Sequence, residues 1–173
     1  MIIEPTYYFD ETTAISPEFL KNTGAKVILI DIDNTLVTYG EAVPNEKVIK
    51  WLDALKNADL KVCLISNNTT KRVSTFAENL DIFYIANASK PFSGCVKKAM
   101  KKFSVESEDL ILIGDQIYTD ILCACFTKIK SILVKPLPYK ENLFFKIKRG
   151  NEKPIIKKFM ENHPDKCFFG KDK

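Results

Sequence analysis

The chain has 173 residues, 46% of them hydrophobic and 28% charged, with a formal net charge of +4. That length suffices for one domain with its own apolar core, without disulfide or metal staples. No run approaches the roughly 18 to 20 apolar residues of a membrane-spanning helix. The five cysteines, Cys63, Cys95, Cys123, Cys125 and Cys167, are odd in number and lack C-x-x-C spacing. They read as reduced thiols of a cytoplasmic protein. The opening MIIEPTYYFDE has no basic stretch and no long apolar run, so no secretory leader is expected.

Five apolar, β-branched runs recur along the chain, at 27–31, 62–66, 82–86, 110–115 and 131–135. Each is continuous rather than alternating, the pattern of strands buried on both faces. Amphipathic helical patterns separate them. Residues 45–58 place Val48, Trp51, Leu52 and Leu55 on one face, behind Asn45 as N-cap. Residues 68–80 do the same with Val73, Phe76, Ala77 and Leu80, and 94–103 with Val96, Ala99, Met100 and Phe103. Alternation of strand and helix predicts an α/β fold with a five-stranded, mainly parallel sheet between helices. Pro136 and Pro138 then break the pattern and divide a core, 1–139, from a basic helical extension, 140–173. That extension carries ten basic residues against five acidic ones, so all the excess positive charge lies there. It is expected to pack on or near the core.

Ligands of open parallel sheets bind beyond the carboxyl ends of the strands. Here the first strand ends in Asp31 and Asp33, and the second in Ser66, Asn67 and Asn68. The third is followed by Lys90, and the fourth by Asp115 and Asp120. Acids, a hydroxyl and a lysine at one sheet edge suit phosphoryl transfer through a carboxylate. Carboxylate and phosphate repel, so a carboxylate-held Mg²⁺ is needed between them. A second acid two residues on points the same way in extended chain and can handle the proton.

The segments DIDNTLV, Ser66, Lys90 and GDQIYTD resemble motifs I to IV of the haloacid dehalogenase superfamily. Their order and the surrounding sequence, from about residue 5 to about 139, resemble its capless YqeG-type phosphatases. That group includes relatives of mitochondrial phosphatidylglycerophosphate phosphatase. The resemblance implies a Rossmann-like fold, with Asp31 as nucleophile and Asp33 as general acid/base. It also implies that Thr35, Ser66, Asn67 and Lys90 serve the phosphoryl group, and that Asp31, Asp33, Asp115 and Asp120 serve a Mg²⁺ site. It further implies a Gly-Gly-Asn-like segment after motif IV. This chain has Cys123-Ala124-Cys125-Phe126 there, a departure that bears on substrate contacts more than on the chemistry.

Segments 36–65 and 67–89 leave no room for a cap domain, so an open site is expected, suited to a large or membrane-bound substrate. The extension offers a surface for anionic lipid, with Phe144, Phe145, Ile147, Ile155, Ile156 and Phe159 as its apolar side. The expected reaction is Mg²⁺-dependent phosphomonoester hydrolysis through an aspartyl-phosphate, and the substrate that the resemblance implies is phosphatidylglycerophosphate. Three alternatives stand beside it: a soluble phosphomonoester or phosphoprotein as substrate, a phosphate-receiving regulatory domain, and an RNA-linked binding role. Asp33 argues against the receiver, which has no use for an acid/base. Nucleic acid is not expected as the partner.

Overall fold

The structure, a computed structural model, describes residues 3–138 and 143–170; the side chains of 143–148 lie outside that description. Five strands form where the apolar runs lie: β2 (Val27–Ile30), β3 (Lys61–Ile65), β4 (Phe83–Ile85), β5 (Leu110–Gly114) and β6 (Lys130–Val134). Two more join them, β1 (Tyr7–Phe9) and β7 (Cys167–Phe168). Among the described residues the sheet therefore has seven strands rather than five, in the order β4-β3-β2-β5-β6-β1-β7, with every pair parallel. The fold class is the one expected. Both extra strands are too short to show a periodic signal, and long-range pairing creates them.

Alternation along the strands divides the core. Ile28, Ile30, Val62 and Leu64 face one layer, with the buried sides of α2 (Glu46–Asn57) and α3 (Thr70–Ala77). Val27, Leu29, Cys63 and Ile65 face the other, with α4 (Gly94–Phe103) and α5 (Leu122–Thr127). Helix α1 (Pro17–Asn22) contributes Leu20 to the first layer. Burying each large apolar side chain contributes about 1.5–3 kcal/mol. Helix α2 buries the four residues its spacing predicts, and Asn45 caps it by accepting from Val48 N at 3.0 Å. Trp51 is a core residue whose Nε1 donates to the Ile15 carbonyl at 2.7 Å.

The extension closes back onto this sheet. Helix α6 (Leu143–Asn162) buries Phe159 against Tyr8, Ile117, Ile121 and Leu133, with Ile155 and Ile156 beside it. The chain then returns as β7 along β1. The apolar side expected to meet lipid is thus turned, at 155–159, toward the protein's own core. Phe144, Phe145 and Ile147 have side chains outside the described residues. No helix among the described residues is long and apolar enough to cross a membrane.

Candidate active site

Strand β2 lies between β3 and β5, so the crossovers diverge at its carboxyl end and open a crevice there. Ile30 pairs with Ile113, which places Asp31 and Asp115 just past the last paired residues of neighbouring strands. Asp31 N donates to the Ile113 carbonyl at 2.9 Å and fixes that register. The chain then turns sharply. Leu36 N donates to the Ile32 carbonyl at 2.9 Å, and Asn34 holds the left-handed conformation at φ 63°. Asparagine tolerates that conformation better than most residues, which accounts for its place in DIDNT.

Lysine 90 is the hub. Two residues of positive φ, Asn87 and Ser89, turn the loop after β4, and Lys90 enters the crevice almost wholly buried. Its Nζ donates to Asp31 Oδ1 at 2.5 Å, Asp120 Oδ1 at 2.7 Å and the Ile65 carbonyl at 3.3 Å. All three ammonium donors are thus engaged. Asn67 fixes the lysine from behind: its Oδ1 accepts from Lys90 N at 2.7 Å, and its Nδ2 donates to the Lys90 carbonyl at 3.0 Å. Each end of this amide thus meets the Lys90 backbone, and Asn67 also lies on the wall of the crevice beside Ser66. Ser66 Oγ accepts from Asn68 N at 3.0 Å and lies on the wall of the crevice.

Three buried acids converge. One oxygen each of Asp31, Asp115 and Asp120 lies within 4.8 Å of the others. Thr35 Oγ1 sits between two of them, 3.3 Å from Asp31 Oδ2 and 3.4 Å from Asp115 Oδ1. Asp120 comes from a π-helical turn, Ile117–Ile121, and folds back over β5. A Cβ at Gly114 would stand 2.3 Å from Asp120 Cγ, so only glycine leaves room for that carboxylate. The fourth expected metal ligand, Asp33, has its carboxylate outside the acid cluster. Arg72 Nη2 donates to its Oδ1 at 3.0 Å and Asn68 Nδ2 to its Oδ2 at 3.4 Å. It remains on the wall of the same open crevice, about 290 Å³, with Asp31, Lys90, Tyr39 and Thr119.

Two arginines complete the charge pattern, Arg72 on Asp33 and Arg149 on Asp115. Sequence reasoning missed both. Arg72 had a usable signal, since the first turn of α3 must lie at the carboxyl edge of the sheet. Arg149 had none, being one of ten similar cations. The cysteines are free thiols; Cys123 and Ala124 are core residues, and Cys123 Sγ lies 3.9 Å from Cys95 Sγ.

Burial pushes Asp31 up to about 8, with Lys90 pulling it down and the other two acids adding to the rise. Burial likewise pushes Asp115 up to about 6, with Asp120 adding and Arg149 opposing. For Lys90, burial alone would lower the ammonium, but Asp120 and Asp31 hold it above the usual lysine range. A cluster of oxygen donors whose charges crowd one another fits a hard divalent cation. Asp31, Asp115 and Asp120 would hold it. One expected result follows. Both raised carboxyls keep their protons longer than in the unfolded chain, so the metal-free fold loses stability as pH rises from about 4, through about 6 for Asp115 and about 8 for Asp31. Thermal denaturation with chelator or with Mg²⁺ should show a larger metal-induced rise at pH 8 than at pH 5. An equal rise at both would separate these acids from the metal.

A family model described as haloacid dehalogenase-like hydrolase matches residues 21–134, and the chain belongs to that family. Its site is that of a hydrolase acting on phosphate esters. The chain is 34% identical over 142 residues to the probable phosphatase YqeG of Bacillus subtilis (strain 168), covering 82% of this chain and 83% of that one. It is 30% identical to a glyceraldehyde 3-phosphate phosphatase of Pyrococcus furiosus, over 65% of this chain and 50% of the relative. It is 27% identical to the chloroplastic/mitochondrial phosphatidylglycerophosphate phosphatase 1 of Arabidopsis thaliana, over 73% of this chain and 39% of the relative.

Proposed function

We propose that this chain is a Mg²⁺-dependent phosphomonoesterase that removes the terminal phosphate of phosphatidylglycerophosphate. The observation that carries the reading is the uncapped crevice in which Asp31, Asp33 and Lys90 stand together, open to a headgroup presented by a membrane. The Arabidopsis relative supports the substrate. The Pyrococcus relative favours the second reading, a small soluble phosphomonoester.

In the first half-reaction a carboxylate oxygen of Asp31 attacks phosphorus, and the ester oxygen leaves with a proton from Asp33. In the second, Asp33 takes a proton from water, which attacks phosphorus and releases phosphate from Asp31. Lys90 neutralises charge beside the nucleophile, and Ser66 lines the phosphoryl site. When bound, Mg²⁺ supplies the positive charge that lets a carboxylate approach a phosphoryl group.

Lipid contact would fall to the exposed lysines of α6, Lys153, Lys157 and Lys158, because its apolar side packs inward. Each lysine near an anionic surface contributes about 1 kcal/mol. Replacing all three by glutamate should cut release from anionic vesicles roughly tenfold or more, while soluble aryl phosphate hydrolysis stays at the wild-type rate. Phosphate release is compared on phosphatidylglycerophosphate vesicles and glyceraldehyde 3-phosphate. Release only from the soluble ester would replace the lipid reading with the second one.

A further inference from the structure

Helix α6 does more than pack on the sheet. Arg149, near its start, returns to the acid cluster. Its Nη2 donates to Asp115 Oδ2 at 2.5 Å, and its Nη1 reaches the Asp115 carbonyl oxygen at 3.4 Å. The Asp115 side chain is fully buried and that of Arg149 is only 14% exposed. The next residues of the same helix hold the loop that joins Asp115 to Asp120. Tyr118 N donates to the buried Glu152 at 3.3 Å, and Tyr118 Oη donates to the Asn151 carbonyl at 3.5 Å. Phe159 anchors the far end of the helix in the core.

The two oxygens of Asp115 therefore have different surroundings. Oδ2 is turned to Arg149. Oδ1 faces Asp31 across the Thr35 hydroxyl. We propose that Arg149 is a positioning residue: by holding Oδ2 it presents Oδ1 of Asp115, beside Asp31, to a divalent cation. This rests on the divalent-metal reading of the acid cluster. Carboxylates that bind metals are oriented by hydrogen bonds from groups behind them, and losing such a group costs roughly 10–100-fold in metal affinity. A guanidinium suits the task because its planar fork spans the carboxylate and carbonyl of one residue, which a lysine ammonium does not. The C-terminal extension thereby becomes part of the catalytic apparatus, although it lies outside the four motifs.

The test is calorimetric titration of Mg²⁺ into the full chain, without substrate, for the wild type, Arg149→Met and Arg149→Lys. Thermal denaturation in chelator reports folding; if the methionine variant does not fold, the lysine variant carries the comparison. Arg149→Met is expected to bind Mg²⁺ 10–100-fold more weakly, with Arg149→Lys between it and the wild type. Turnover of an aryl phosphate should fall most at limiting Mg²⁺ and recover in large part as Mg²⁺ is raised. Unchanged affinity would make α6 a packing element only, and tighter binding would make Arg149 a competitor of the cation; either overturns the inference. A wild type that binds no divalent cation would overturn the metal reading beneath it.

Discussion

Asp31→Asn is expected to lower phosphomonoester turnover by roughly 10⁵-fold or more, the scale on which covalent hydrolases respond to loss of their nucleophile. The amide has nearly the volume of the carboxylate, so the turn from Ile32 to Val37 and the Lys90–Asp120 contact at 2.7 Å should persist. One carboxyl less in a buried acid cluster also relieves repulsion. The metal-free thermal midpoint should therefore hold or rise while activity disappears. Steady-state kinetics beside a melting curve checks both halves. Activity within tenfold of wild type would remove Asp31 from the nucleophile's role; loss of folding would leave the kinetic comparison to the more conservative Asp31→Glu.

The largest stability effect is expected at Lys90→Met. Its Nζ lies 2.5 Å from Asp31 Oδ1 and 2.7 Å from Asp120 Oδ1, and its side chain is only 2% exposed. Methionine fills a similar volume without charge, which leaves buried carboxylates facing one another. Breaking a buried ion pair from one side costs about 3–5 kcal/mol. In a chain of this size that is roughly 6–20 °C in thermal midpoint. The fall should be smaller at pH 5, where burial keeps Asp31 and Asp115 protonated. Added Mg²⁺ should recover part of it by replacing the missing charge. A melting curve in chelator at pH 8 that matches wild type would show that Lys90 does not balance this cluster.

The apolar runs at 27–31, 62–66 and 110–115 became central strands because continuous β-branched sequence leaves no face for water. The acids that end them reached one crevice because parallel strands share a direction. Asp31, Asp115, Asp120, Lys90 and Ser66 were legible for that reason. What was not legible depended on distant partners. Tyr7–Phe9 and Cys167–Phe168 are strands only because each pairs with a neighbour from far along the chain. The contacts of Asp33 and Asn67 are set by Arg72 and by the Lys90 backbone, partners that no local sequence pattern reveals. Arg149 could be found only once α6 had been folded against the Ile117–Ile121 turn.

Covalent catalysis through Asp31 is tested most directly by mass spectrometry of the chain, acid-quenched during turnover of a phosphomonoester with Mg²⁺. Asp33→Asn is the form to use, because losing the acid/base slows breakdown of the covalent state by roughly 10²–10⁴-fold. A phosphoryl adduct is expected on the peptide containing Asp31, absent without substrate and absent in Asp31→Asn. Phosphate release with no adduct on Asp31, or an adduct on another residue, would contradict it.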